Sequence, residues 1–250
     1  MKRYLWMALL PLLIFALWGC EDEDDLLGSR PAFIGDDPYN DLAALGERLY
    51  VTNYDWNEGS GDRVYLYSFD LQGQPVASFN LQMNSQGYIS LSADSAYLYL
   101  LSQSGLISKV TPTGDLVNRI LLSGAVVAHQ PGALVALPGG SQYALLWDED
   151  GTVYVHPFDG QALTLGEAQD TILVPGRTDF RAACVPSEAD TIHVLSSDST
   201  GADYLVHFDL GWNVLGETAL ADSAVAGVAC LGNEIWVSTD DRRIVPLSDL

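Results

Sequence analysis

Oxygen-bearing side chains are concentrated in one short segment, "DWNEGSGD" (55–62). Asp55, Asn57 and Asp62 surround a glycine-rich bend in this segment, and side-chain oxygens are the ligands that calcium prefers. The spacing lacks the third spaced acid of a calcium-binding loop. Asp and Asn also favour turns, so turn formation is the interpretation that we prefer. Calcium is therefore the only cofactor that the sequence suggests. Our prediction is that the protein needs no cofactor.

The sequence carries no strong catalytic signature. It has no H-E-x-x-H zinc motif, no C-x-x-C-H haem motif, no G-x-S-x-G nucleophile elbow and no phosphate-binding glycine loop. Its four histidines are scattered along the chain, and we interpret them as structural or solvated. We name no catalytic residue and favour a non-enzymatic role. The alternative is an enzyme, either a calcium-dependent lactonase-like hydrolase or a glycan-processing enzyme.

Two cysteines lie in matching surroundings about 46 residues apart, in "FRAACVPSEADTIHVL" (180–195) and "VAGVACLGNEIWV" (225–237). Zinc is disfavoured for Cys184 and Cys230, because C-x-x-C spacing is absent and no histidine pair accompanies them. Because alanine or serine takes the same place elsewhere in the chain, we interpret both as small apolar fillers. A disulfide is the open alternative, and it would require their Cα atoms to approach within about 7 Å.

A repeat of about 46 residues runs through the chain, within the length range of one propeller blade. It is marked by a small residue followed by an apolar one, at Ala44-Leu45, Ser90-Leu91, Ala136-Leu137, Cys184-Val185 and Cys230-Leu231. Each pair is followed by a turn, an apolar strand, a polar loop and a third strand, and in most copies by a glycine turn and a fourth strand. Glycines 73, 114, 160 and 211 occupy those turns, where a hairpin needs positive φ.

Four antiparallel strands per repeat predict an all-β fold, a five-bladed β-propeller with four-stranded blades. A β-sandwich or an eight-stranded barrel is the alternative, but neither requires a fixed period of this length. The last copy ends after its third strand, "RIVPLSDL" (243–250). We expect "PAFIG" (31–35) to supply the missing outer strand of blade five, so that an N-terminal strand closes the ring.

Three segments support a family resemblance: "LYVTN" (49–53), "VYLYSFDLQGQPVASFNL" (64–81) and "LSADSAYLYL" (91–100). Together they resemble the repeat of YVTN-type β-propeller proteins, most clearly over residues 45–125. The resemblance implies a secreted ring scaffold. The family carries no single activity, so the resemblance assigns no catalytic residue to this chain.

The first twenty residues, "MKRYLWMALLPLLIFALWGC", combine a basic start with an apolar run that is shorter than a membrane span. They resemble a bacterial lipoprotein signal peptide, in which the chain is cut before Cys20 and that cysteine is lipidated. Trp18 departs from the usual small residue of such signals, and a transmembrane anchor is the alternative. We predict a signal peptide over 1–20, an acidic tether over 21–30 and the propeller over 31–250. The mature protein would be lipid-anchored in the cell envelope, at the outer membrane, on its periplasmic side or at the cell surface.

The loops between second and third strands are predicted to open on one end of the ring, which we call the acidic loop face. Aromatic residues among polar ones often anchor a partner. The residues that we assign to partner binding on this face are Tyr54, Asp55, Trp56, Asp148, Asp198, Asp240 and Asp241.

The starts of the inner strands converge at the same end of the ring, which we call the axial mouth. Its candidate residues are Asp41, His129, Asp179, Arg181 and Asp222. These side chains would either bind a small polar ligand or plug a narrow channel with ion pairs and hydrogen bonds.

The charge limits the kind of partner. Lysine and arginine total 11 against 33 aspartates and glutamates, a formal net charge of −22. Such a surface repels phosphates, so nucleic acid is excluded as a partner. We predict a monomeric binding or scaffold module that takes a protein with a basic patch, or a small polar ligand, at the axial end. A structural lipoprotein without a specific ligand is the third alternative.

Overall fold

The computed structural model describes residues 39–55, 63–81, 88–122, 129–220, 225–239 and 243–250. The chain divides into two units, Met1–Phe33 and Ile34–Leu250, and all described residues belong to the second. Cys20, the acidic tether and the "PAFIG" segment lie outside the described residues, as does most of the 55–62 loop. In the described ranges, no helix is long and apolar enough to cross a membrane.

The described residues form five antiparallel sheets, one for each repeat. Blade one consists of β1 (Tyr39–Leu45), β2 (Arg48–Asp55), β3 (Arg63–Phe69) and β4 (Pro75–Asn80). Blade two consists of β5 (Tyr88–Ala93), β6 (Leu98–Ser102), β7 (Leu106–Val110) and β8 (Leu116–Leu121). Blade three consists of β9 (Gln130–Ala136), β10 (Gln142–Trp147), β11 (Thr152–Asp159), β12 (Thr164–Leu165) and β13 (Asp170–Leu173).

The last two blades complete the ring. Blade four consists of β14 (Arg177–Cys184), β15 (Thr191–Asp198), β16 (Asp203–Asp209) and β17 (Val214–Ala219). Blade five contains β18 (Val225–Leu231), β19 (Glu234–Thr239) and β20 (Ile244–Pro246), and a short 3₁₀ helix, Leu247–Asp249, follows it. Consecutive strands pair in order within each sheet, except that β12 and β13 both pair with β11 and so split the outer strand of blade three. The predicted five-bladed β-propeller is confirmed.

The inner strands form a closed ring in which β1, β5, β9, β14 and β18 neighbour one another in turn and β18 packs against β1. Between them lies a cavity of about 140 Å³, which we call the axial cavity. Small and aliphatic residues of all five inner strands line it, among them Ala44, Ala93, Ala136, Ala183 and Ala229. The side chains around the ring axis at this level are therefore mostly small.

Each of the five hydrophobic clusters lies between two neighbouring blades. The arrangement follows from strand geometry, because successive side chains point to opposite faces of a sheet. In β11, Val153 and Val155 join the cluster shared with blade four. Tyr154 between them packs against the cluster shared with blade two. The alternating pattern of the sequence thus supplies two apolar faces for each blade, and face-to-face packing stabilises the ring.

The strand register corrects the predicted alignment of the small residues that mark each repeat. Ala44 pairs with Leu49, the first residue of the apolar segment in β2. In blade two, Ala93 pairs with the equivalent Leu98, whereas Ser90 pairs with Leu101. The inner strand continues past Ser90, so a sequence repeat aligned on small residues shifts blade two by three positions.

The turns after the third strands are confirmed in part. Gly73 and Gly114 have positive φ, at 69° and 82°. In blades three and four the left-handed positions are taken instead by Leu163, with φ of 52°, and Trp212, with φ of 64°. Both non-glycine residues are buried, so packing offsets the cost of the left-handed backbone.

Cys184 and Cys230 form a disulfide, with their Cα atoms 5.4 Å apart. The preferred interpretation as two unlinked fillers is therefore wrong, and the alternative is correct. Neighbouring inner strands converge around the ring axis, a region that we call the hub. This convergence brings the two cysteines into the distance range that a disulfide needs. The bond links β14 of blade four to β18 of blade five.

Candidate functional site

A second cavity, of about 460 Å³, opens where inner strands begin and second strands end; we call it the mouth cavity. It lies among blades two, three and four. Its lining residues are Ile89, Gln103, Gln130, Pro131, Trp147, Asp179, Phe180 and Arg181. Two of the residues predicted for the axial mouth, Asp179 and Arg181, therefore lie together in this cavity.

The guanidinium of Arg181 is held between two carboxylates. Its Nε lies 3.0 Å from Asp179 Oδ2. Its Nη2 donates to Ser197 Oγ at 2.8 Å and forms an ion pair with Asp203. Arg181 and Asp179 are each about one-third exposed, at 30% and 33%, whereas Asp203 is buried at 3%. The ion pairs thus fix the guanidinium at the cavity wall and leave part of it facing the cavity.

Asp203 connects the mouth cavity to the next blade. One carboxylate oxygen accepts from the Ser197 hydroxyl at 2.8 Å, and the other accepts from the Val225 backbone N–H of blade five at 3.3 Å. Asp203 is not among the site residues predicted from the sequence. Only the spatial proximity of Arg181, 22 positions away, distinguishes it from the other acids.

The ion cluster at the cavity wall has one more carboxylate than guanidinium groups, because Asp179 and the buried Asp203 both contact Arg181. Burial raises the pKa of Asp179, and the Arg181 guanidinium opposes that rise. The neighbouring Asp203 carboxylate raises the Asp179 pKa further. A cation entering the cavity would stabilise the ionised form of Asp179.

The cavity also has an aromatic wall. Trp147, at the end of β10, packs near Phe180 with ring centroids 6.4 Å apart. Its indole Nε1 is buried and has no hydrogen-bond partner among the described residues. Gly132 permits this arrangement, since a Cβ there would lie 2.6 Å from the Phe180 carbonyl oxygen and 3.0 Å from the Trp147 ring. The cavity therefore combines an acidic group, a guanidinium and an aromatic surface.

Asp41 lies inside the hub and is not among the residues that line the mouth cavity. Its carboxylate accepts the backbone N–H of Leu42 at 2.7 Å and that of Leu91 at 2.6 Å. The Ser90 hydroxyl and the Val228 backbone N–H also bond to it. Burial raises the pKa of Asp41 well above its ordinary value, and these hydrogen bonds oppose the rise. Asp41 thus joins blades one, two and five.

His129 also lies apart from the Asp179–Arg181 pair. Its ring stacks on Tyr154 with centroids 3.7 Å apart and an interplanar angle of 24°. It is absent from the lining of the mouth cavity. The contact fixes the start of blade three beside the cavity.

Two acids of the predicted acidic loop face shape their own loops. Asp148 accepts from the Thr152 N–H at 3.0 Å and from the Tyr154 hydroxyl at 3.1 Å. Asp198 repeats the pattern with Ala202 and Tyr204. The hydroxyl and N–H of Thr200 lower the pKa of Asp198 to about 2, together with the Ala202 and Tyr204 bonds. Both carboxylates therefore have a local turn-forming role.

The other predicted site residues lie wholly or partly outside the described residues. Tyr54 and Asp55 are placed only as backbone at the end of β2, and Cys20, Trp56, Asn57, Asp62, Asp222, Asp240 and Asp241 lie outside the described ranges. The calcium hypothesis for the 55–62 loop therefore stays a prediction. Among the residues that the structure does describe, no group of three or more histidines, cysteines or acids could hold a metal ion.

Comparison with known proteins shows a likeness of fold only. No protein-family model matches the chain, and no curated protein matches it. The structure is similar to that of glutaminyl cyclase from Myxococcus xanthus, with a TM-score of 0.56 and 13% identity, covering 85% of this chain and 90% of that one.

Two further solved structures also match. The WD40 β-propeller domain of Doa1 has a TM-score of 0.46 and 9% identity over 84% of this chain and 92% of that one. Raptor from Chaetomium thermophilum has a TM-score of 0.41 and 12% identity over 80% of this chain and 21% of that one. At such identities the similarity concerns the fold alone. The strand topology itself defines the class of this protein as a five-bladed β-propeller.

Proposed function

We propose that this protein is a non-enzymatic binding module that receives a cationic group of a partner protein, such as a lysine or arginine side chain, in the mouth cavity. The observation that carries the proposal is the pairing of two carboxylates with a single guanidinium beside the Trp147 ring. An ammonium or guanidinium group would find a carboxylate in Asp179 and an aromatic face in Trp147. Cations are attracted to both.

The overall charge supports the same kind of partner. A formal net charge of −22 attracts basic surfaces and accelerates their encounter, most strongly at low ionic strength. The acidic loop face would provide the long-range attraction, and the mouth cavity the specific contact.

The alternative of an enzyme gains no support from the described residues. A glycan-processing enzyme would need a pair of carboxyl groups flanking the bond to be cleaved. Asp179 in the mouth cavity and the buried Asp203 both contact Arg181, so both serve to position that guanidinium. The axial cavity has no ionisable side chain in its lining.

The proposed location is outside the cytoplasm, with the chain anchored by lipid at Cys20. Disulfides persist in oxidising compartments, so the Cys184–Cys230 bond supports this location independently of the signal-peptide resemblance. The resemblance to YVTN-type repeats, also a proposal, agrees with a secreted scaffold. Globomycin, which blocks lipoprotein signal cleavage, should cause the uncleaved precursor to accumulate; unchanged processing would contradict the anchor.

The binding proposal is tested with short capped peptides as probes, Gly-Lys-Gly and Gly-Glu-Gly, added to the full mature chain. The indole N–H signal of Trp147, assigned with Trp147→Phe, reports on cavity occupancy in NMR spectra. We expect the lysine peptide to shift this signal and the glutamate peptide to leave it unchanged. Asp179→Asn should weaken lysine-peptide binding about fivefold, the effect of losing roughly 1 kcal/mol of ion-pair energy.

The matched control is Asp190→Asn, since Asp190 is an exposed acid that does not line the mouth cavity. It should bind the lysine peptide as the unchanged protein does. Equal affinities for Asp179→Asn and the unchanged protein would refute the site. So would a Trp147 signal that responds equally to both peptides.

A further inference from the structure

Blade four holds a pair of histidines in direct contact, away from the mouth cavity. His193 on β15 and His207 on β16 are opposite each other in the strand register. Their Nδ1 atoms lie 2.8 Å apart, and the two rings are nearly perpendicular, at 87°. Both side chains are half-buried, so water can still reach the pair.

A third side chain contacts the second ring nitrogen of His207. His207 Nε2 lies 2.9 Å from the Thr218 hydroxyl oxygen. When Nε2–H donates to that oxygen, the lone pair of His207 Nδ1 points towards His193. Metal-binding histidines commonly donate their second ring N–H in this way, which fixes the tautomer and the ring orientation.

We propose that His193 and His207 form a binding site for a divalent transition-metal ion of tetragonal preference, copper(II) above all, with both Nδ1 atoms as ligands. Imidazole nitrogens bind such metals at about 2.0–2.1 Å. Two ligands at a right angle are then about 2.9 Å apart, and two at a tetrahedral angle about 3.3 Å. The observed separation of 2.8 Å is close to the right-angle value, and each ring would turn to direct its Nδ1 lone pair at the metal.

The metal would replace the proton that the two nitrogens share. When His207 carries its proton on Nε2, His193 donates its Nδ1–H to His207 Nδ1. Metal binding moves that proton to Nε2 of His193, so the pair releases no net proton. Water would complete the coordination on the exposed side, and copper(II) binds nitrogen ligands more strongly than other divalent ions of its row.

The surroundings keep both rings neutral, the form that binds metal. Burial holds the pKa of His193 at about 4, and the nearby His207 contributes to the lowering. Burial also lowers the pKa of His207. Few protons therefore compete with a metal at neutral pH.

This pair also corrects the expectation that no histidine pair accompanies the cysteines. Cys184 is the cross-strand partner of His193. The two histidines are 14 positions apart in the chain, so no short motif reveals them. Cys184 is held in the disulfide with Cys230, so its thiolate is not a ligand of the proposed site.

The test is a copper(II) titration of the full mature chain after treatment with chelator, with glycine present as a competing ligand to suppress binding by surface acids. We expect one strong site per chain, with electron paramagnetic resonance showing coupling to two imidazole nitrogens. His193→Gln and His207→Gln should each weaken binding at least tenfold. His129→Gln is the matched control and should leave binding unchanged.

Thr218 separates a metal site from a general packing effect, because changes there leave both imidazoles in place. Thr218→Val should weaken copper binding about 10- to 100-fold, whereas Thr218→Ser, which keeps the hydroxyl, should retain it. Circular dichroism of each variant checks that the propeller is folded. Unchanged copper affinity in folded His193→Gln and His207→Gln, or a spectrum without imidazole nitrogen coupling, would overturn the proposal.

Discussion

Replacing Asp41 with alanine should weaken the joint between three blades. The carboxylate is fully buried and accepts hydrogen bonds from the Leu91 N–H of blade two and from the Val228 N–H of blade five. Asp41→Ala leaves both N–H groups without an acceptor in the interior. Gly227 adds to the constraint, because a Cβ at that position would lie 2.5 Å from the Asp41 Cα, so the strands are already in close contact.

The magnitude follows from the unpaired groups. Each buried N–H left without a partner costs about 1–3 kcal/mol, so two give about 2–6 kcal/mol. Removing the buried carboxyl group also removes its desolvation cost. We therefore expect the unfolding free energy to decrease by an amount in the lower half of that range, about 2–4 kcal/mol. Ser90→Ala removes one comparable acceptor, that of the Leu134 N–H at 3.0 Å, and should cost about 1–2 kcal/mol.

The effect of Asp41→Ala should also depend on pH. The pKa of Asp41 is raised in the folded protein, so the folded state holds this proton at pH values where the unfolded chain has released it. Its contribution to stability is therefore complete below the unfolded pKa, about 3.9, and is lost as the pH rises through the folded pKa. The difference between the unchanged protein and Asp41→Ala should shrink as the pH rises.

Guanidinium chloride unfolding followed by tryptophan fluorescence measures these free energies. Asp190→Ala, an exposed acid, is the control and should remain within about 0.5 kcal/mol of the unchanged protein. An Asp41→Ala variant equally close to the unchanged protein at acidic and neutral pH would refute the reasoning. It would mean that the hub hydrogen bonds contribute no net stability.

Three further predictions concern the histidine pair, the disulfide and Gly132. In chelator-treated buffer the unfolding free energy, measured with urea, should fall as the pH drops from about 6.5 to about 4, because His193 and His207 bind protons in the unfolded chain and stay neutral in the folded protein. Replacing both histidines by glutamine should flatten this pH dependence. Replacing Cys184 and Cys230 by alanine should cost about 3–4 kcal/mol for a closed loop with a sequence separation of 46, seen as a lower thermal midpoint, and an unchanged midpoint would contradict it. Gly132→Ala should lower the thermal midpoint and weaken lysine-peptide binding, because the new Cβ would lie 2.6 Å from a backbone oxygen of blade four; normal behaviour in both assays would show that β9 can move aside.

The blade architecture could be predicted from local features of the sequence. Alternation of apolar and polar residues, as in β11, requires only that neighbouring side chains point to opposite faces. The turn glycines Gly73 and Gly114 likewise respond to a local need for positive φ. Because these signals recur about every 46 residues, they were sufficient to predict five blades.

The candidate site was predicted only in part. The sequence placed Asp179 and Arg181 at one end of the ring, since their offsets from the repeat were known. It could not identify Asp203 or Trp147, because their roles depend on distances to residues of other strands. The same limitation explains why Ser90 was aligned with Ala44, since a sequence period does not show how far an inner strand continues.

The sequence by itself determined the number of blades, the order of strands within a blade and the acidic charge, all of which depend on residue type and spacing. The tertiary structure alone decided that Cys184 bonds to Cys230 and that Asp41 joins three blades. It also brought His193 and His207 to 2.8 Å from each other. The physical reason is that hydrogen bonds, ion pairs and disulfides form over a few ångströms, and only the closed ring brings distant parts of the chain that close together.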